Sequence, residues 1–201
     1  RSQTVTGVQT CALPILRWDV TAWRLVTGRL AGDAGFRFAG LAVDGRFAAA
    51  PGGRVAARDV TLEGPVAPLA ELARVPVLAL EGDLLARIEE AVVVERRPRR
   101  LRGRFQWEEA RVIAPVQMGF GTVQGRVEPD GDAAHTLTLR SRGGEVSIDG
   151  SIELRPDGRY RLDLTLTPAG DAPARVTDTL AMVAQREGGA YVVRRSGTIP
   201  R

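Results

Sequence analysis

Lysine and asparagine are both absent from this chain, and cysteine and histidine occur once each. Aromatic residues make up only 5% of it. Each scarcity excludes something. One cysteine cannot close an internal disulfide or build a thiolate metal cluster. One histidine cannot serve both a ligand set and a catalytic triad, and no Cys/His/carboxylate group has metal-ligand spacing. No P-loop, dinucleotide fingerprint or Gly-x-Ser-x-Gly elbow is present. No run of about 18 apolar residues occurs, so no segment reads as a membrane-spanning helix. Because lysine is missing, all 28 basic residues are arginine, set against 24 acidic ones for a net charge of +4. The pI near 10.4 reflects that arginine. A GC-rich coding sequence gives the same bias, so it does not point to nucleic acid.

What is present is globular in composition, 44% hydrophobic and 26% charged. The 201 residues suffice for one domain with its own core. Residues 1–15 stand apart. The run Val5-Thr-Gly-Val-Gln-Thr-Cys-Ala-Leu-Pro-Ile15 resembles a translated sequencing-adapter oligonucleotide, and it lacks the apolar centre of a signal peptide. Residues 1–15 are therefore set aside as non-native, Cys11 with them, and residues 16–201 are read as a single β-rich domain. The native N-terminus is then missing, so a leader or anchor cannot be judged from this chain.

Period-two alternation is the main structural signal. Tyr160, Leu162, Leu164 and Leu166 point one way, and Arg161, Asp163 and Thr165 the other. Val146, Ile148, Ile152 and Leu154 alternate with Ser147, Asp149, Ser151 and Glu153. Pro156-Asp157-Gly158 and Gly143-Gly144 supply tight turns. Residues 136–167 thus read as a three-stranded meander, with Leu162 and Leu164 inside and Arg161 and Asp163 outside.

An apolar–x–Gly–x–apolar unit recurs at Gly45, Gly64, Gly82, Gly103, Gly125 and Gly150, roughly every twenty residues, the length of two strands and their turns. Each glycine falls on the apolar face, where it lets a sheet bend or another layer approach closely. The fold class is mainly β: a strongly curved antiparallel sheet of hairpins and meanders with one or two short helices. The helices are placed at 65–73 and 171–185. The second has Asp171 as cap, a Val176/Leu180/Val183 stripe and Gly188-Gly189 as terminator. A last strand follows from Tyr191 to Ile199.

The chemistry is sparse. His135 reads as a surface residue in a loop. Glu89-Glu90 and Glu108-Glu109 are neighbours that a strand would turn to opposite sides, which disfavours an acid/base dyad. Arg96-Arg97-Pro98-Arg99-Arg100-x-Arg102-x-Arg104 is the one charge cluster. Arg100, Arg102 and Arg104 share a face, and Leu101, Gly103, Phe105 and Trp107 share the other. Aromatics on the side away from the arginines are wrong for stacking nucleic-acid bases. That leaves a solvated face, or contact with anionic lipid headgroups or an acidic partner. No catalytic, cofactor-binding or metal-binding residue is nominated, and no cofactor is expected.

Several segments carry a family likeness. Leu101-Arg-Gly-Arg-Phe-Gln-Trp-Glu-Glu-Ala110 resembles the L-x-G-x-x-x-W-x-x-A segment of the type II secretion system protein N family. Ser147 to Pro168 is similar to its G-x-L-x-L-x-x-D-G-x-Y run, followed by a strand and a proline. Thr179 to Ala184, Ser196 to Ile199 and Trp18 to Leu30 resemble other stretches of it. The resemblance implies a structural or assembly component of the machine that exports folded proteins across the outer membrane. It implies an inner-membrane anchor, a domain facing the periplasm, other secretion-system subunits as partners and no enzymatic activity. The glycine pattern motivates a second reading, an AsmA-like envelope protein that handles lipid in an apolar β-trough.

Overall fold

Residues 15–20, 30–72, 79–94, 97–114, 117–131 and 134–198 are described in the computed structural model of the protein. Most of the segment set aside, including Cys11, lies outside them, as do Arg96 and Ile199. The alternating segments form β1 (Ile15–Val20), β2 (Leu30–Phe38), β3 (Leu41–Ala50), β4 (Arg54–Pro65), β5 (Ala79–Val94), β6 (Arg97–Ala114), β7 (Met118–Asp130), β8 (Ala134–Arg142), β9 (Val146–Leu154) and β10 (Arg159–Pro168). Two short strands follow, β11 (Gln185–Glu187) and β12 (Ala190–Thr198). Helix α1 (Ala67–Leu72) links β4 to β5, and α2 (Ala174–Val183) links β10 to β11. All twelve strands lie in one sheet in chain order, except that β12 pairs with β10 and β11 folds back on its outside. Every pairing is antiparallel, and the sheet is open, not a closed barrel. Meandering connections with few crossovers follow from short turns between neighbouring strands.

The register puts one apolar face along the sheet. Phe36 lies opposite Val43, Val43 opposite Leu62, Leu62 opposite Ala86 and Leu84 opposite Trp107. Further along, Leu137 lies opposite Ile152 and Ile152 opposite Leu162. The expected meander is present as β8, β9 and β10. Arg161 and Asp163 are exposed, and Leu162 and Leu164 are half-buried on the apolar side. The Pro156-Asp157-Gly158 turn closes with Gly158 N–H donating to the Arg155 carbonyl and Arg159 N–H to the Asp157 carboxylate. That second bond is the main reason the Asp157 carboxyl lies below its ordinary pKa.

Among the described residues most of the buried hydrophobic side chains gather in two clusters. Leu41, Val43 and Val60 form the smaller, beside Leu69 of α1. The larger joins Ala110, Met118, Phe120, Val123, Val146 and Tyr191, with Val176 and Leu180 of α2 laid over it. Glu145, in the β8–β9 turn, ties this region together. Its carboxylate accepts from the Gly119 N–H at 3.1 Å and from Arg175 of α2 at 2.6 Å, and its carbonyl accepts from Ala169 N–H at 2.9 Å.

Bulges bend the sheet. The register jumps between Asp44 and Arg46, between Ile88 and Glu90, and between Trp107 and Ala110. Asp59 and Glu109 take positive φ at two of these irregularities, and a bulged residue bends its strand and raises the local twist. The curved antiparallel sheet is what the glycine pattern predicts, and Gly125 shows how it works. The Phe105 ring of the next strand occupies the space where a Cβ of residue 125 would stand. Gly125→Val should therefore cost about 1–3 kcal/mol through overpacking. Urea unfolding checks this; an unchanged midpoint would mean that the Phe105 ring moves aside freely.

Two expectations need correction. The second helix begins at Ala174, not Asp171; its cap position is Pro173, and no side chain caps it. Val176 and Leu180 are buried as expected, but Val183 is 50% exposed. The helix ends at Ala184, which turns extended, and Gly188-Gly189 instead makes the β11–β12 hairpin turn. His135 is not in a loop. It lies in β8, 3% exposed, opposite Pro129 and Leu154 on the apolar side. The loop signal of Gly131-Asp-Ala-Ala stops one residue earlier, and the pleat then points the imidazole inward.

Candidate functional site

The functional geometry is that of surfaces. The face opposite the core carries the charge, and much of it is complementary across strands. Arg140 meets Asp149 at 3.0 Å, Arg100 meets Glu90 at 3.5 Å and Arg194 reaches Asp163 at 3.8 Å. Such exposed pairs contribute little stability individually. Arg100, Arg102 and Arg104 are all exposed, and Leu101, Gly103, Phe105 and Trp107 take the other side, as the alternation predicts. The Trp107 indole N–H donates to the Glu81 carbonyl at 2.9 Å, which satisfies its one polar atom.

The sheet ends in different edges. Beyond Val192, the outer side of β12 has no partner strand among the described residues. Arg194 and Arg195 stand there, and charged residues are a common guard against unwanted strand addition. Arg194 donates to Glu187 of β11, which holds the last hairpin to the edge.

Candidate chemical groups are not brought together. The bulge at Glu109 leaves both Glu108 and Glu109 exposed, so the pair does not split across the sheet as simple alternation implies. Among the described residues no three His, Cys, Asp or Glu side chains lie close enough to hold a metal ion. Nor is any described helix long and apolar enough to cross a membrane.

His135 is the one buried side-chain nitrogen or oxygen without a partner among the described residues, at Nε2. Burial lowers its pKa. The unfolded chain takes up the proton near pH ~6.5, while the folded chain resists it. The stabilising contribution is thus full above that value and is lost as pH falls through and below it. His135→Leu should flatten the loss of melting temperature between about pH 7.5 and 5. A wild-type curve no steeper than the variant's would contradict this.

The sequence model describing protein N of the type II secretion system matches residues 5–194. The chain belongs to the type II secretion system protein N family. The match begins inside residues 1–15 and runs through β12 as far as Arg194. Type II secretion system protein N of Aeromonas hydrophila is 27% identical over 196 residues, covering 94% of this chain and 76% of its own length. No solved structure matches. The protein is thus a type II secretion component, as the L-x-G-x-x-x-W-x-x-A and D-G-x-Y segments implied. The AsmA-like reading gains no support from the family match.

Proposed function

We propose that this protein is a structural or assembly component of the type II secretion system. In this reading it is anchored at the inner membrane, and residues 16–201 form one domain facing the periplasm. It binds other subunits of the machine and catalyses nothing. The observation that carries the reading is the family match across nearly the whole chain. The fold adds support: an open sheet with two long faces, and a stretch of β12 that is unpaired on its outer side among the described residues, offers docking surfaces.

The test is isolation of the intact, anchored protein from a secreting cell with its bound partners. Recovery of type II secretion subunits supports the proposal. Recovery of none, after crosslinking in the living cell, overturns it.

A further inference from the structure

The polar face mostly sets opposite charges across from one another: Arg161 faces Glu153, Glu81 faces Arg111 and Asp163 faces Arg194. Like charges face each other at the acidic pairs Asp19–Asp33 and Asp83–Glu108 and, over the longest stretch, in one row of arginines. Across five neighbouring pairings it runs Thr61, Arg87, Arg104, Arg126, Thr138, Ser151. Three arginines thus stand side by side on β5, β6 and β7 with no acid between them. Like charges directly opposite are destabilising. Another facing pair, Arg46 and Arg58, is relieved by Asp59, which contacts Arg46. Among the described residues Arg87 and Arg104 pair with no carboxylate, and Arg126 reaches only Glu128, at 3.7 Å.

The same three arginines line a concave depression, with Arg140, Gln106 and Gln124 beside them. Arg140, unlike Arg87 and Arg104, is paired with an acid, Asp149. Strand spacing makes the arginine row about 10 Å long. Guanidinium groups grip phosphate through paired N–H donors, and the threonines at either side supply hydroxyls. An extended acidic segment fits less well, because its same-side carboxylates repeat at about 7 Å along one strand.

We infer that this row binds a phosphate-bearing ligand, a role beyond the proposed assembly function. The phosphate belongs to an anionic lipid headgroup or to a soluble phosphate compound, and the test distinguishes them. The full chain is titrated with inorganic pyrophosphate and sedimented with vesicles of phosphatidylglycerol or of phosphatidylcholine. Saturable binding of pyrophosphate, weakened at least about tenfold by Arg104→Gln and unaffected by Arg161→Gln on the same face, supports the site. Retention on phosphatidylglycerol that also needs Arg104 assigns the phosphate to lipid; pyrophosphate binding without retention assigns it to a soluble compound. Arg104→Gln should melt no lower than the wild type without ligand, and pyrophosphate should raise the melting temperature of the wild type alone. Binding that survives Arg104→Gln, no binding of either probe, a ligand-free variant that melts lower, or displacement of pyrophosphate by less oligo-glutamate than pyrophosphate itself would overturn the inference.

Discussion

Leu180→Ala should destabilise the protein by about 2–5 kcal/mol, the usual cost of emptying a leucine site in a packed core. Leu180 is 1% exposed, in the cluster that joins α2 to Val146, Phe120 and Tyr191. Helix α2 has ten residues and no side-chain cap, and an isolated helix that short is marginal in water. Packing of Val176 and Leu180 is therefore what holds it on the sheet. Its loss uncovers Ala110, Met118 and Phe120, so the variant should bind a hydrophobic dye as well as unfold at lower urea. Met182→Ala, at a site 76% exposed on the same helix, should stay within about 0.5 kcal/mol of the wild type. Equal effects at the two positions would show that α2 does not cover the core.

Leu164→Asp should be as damaging, several kcal/mol, because it places a charge on the apolar face without a partner. Leu164 lies between Gly150 of β9 and Val193 of β12. The sheet cannot avoid the cost by slipping one residue, since that would turn Arg161 and Asp163 inward. Asp163→Ser should change stability by less than about 1 kcal/mol. Asp163 lies opposite Ser151 and Arg194, with its side chain 57% exposed and its nearest Arg194 nitrogen 3.8 Å away. Thermal melts that found Asp163→Ser harmful and Leu164→Asp silent would refute the register.

These two positions also show how much of the fold could be read in advance. Around Leu164 the pleat fixes the burial of each residue from its neighbours alone, so the β8–β10 meander and its faces were legible. So was the curvature, since Gly45, Gly103 and Gly125 lie where neighbouring residues come close. His135 was misjudged because Gly131-Asp-Ala-Ala carries a loop composition almost up to it, while its burial comes from β7 and β9. The extent of α2 was misjudged because Asp171 and Gly188 are good local signals that the hairpin and the core override. The arginine row was invisible for a different reason. Arg87, Arg104 and Arg126 come together only through the register of three long strands, and that register depends on bulges such as the one between Ile88 and Glu90. The family was legible because its main segments are contiguous runs of residues within β6, β9 and β10, readable without knowing how the strands pair.

A component of the type II machine is needed for export through it. The most direct test is the amount of a type II cargo protein in the medium and in the periplasm of cells whose own copy of the gene is deleted. Cargo should accumulate in the periplasm, the intact gene should restore its release, and the same gene carrying Leu164→Asp should not. Normal release of cargo from the deletion strain would contradict this role.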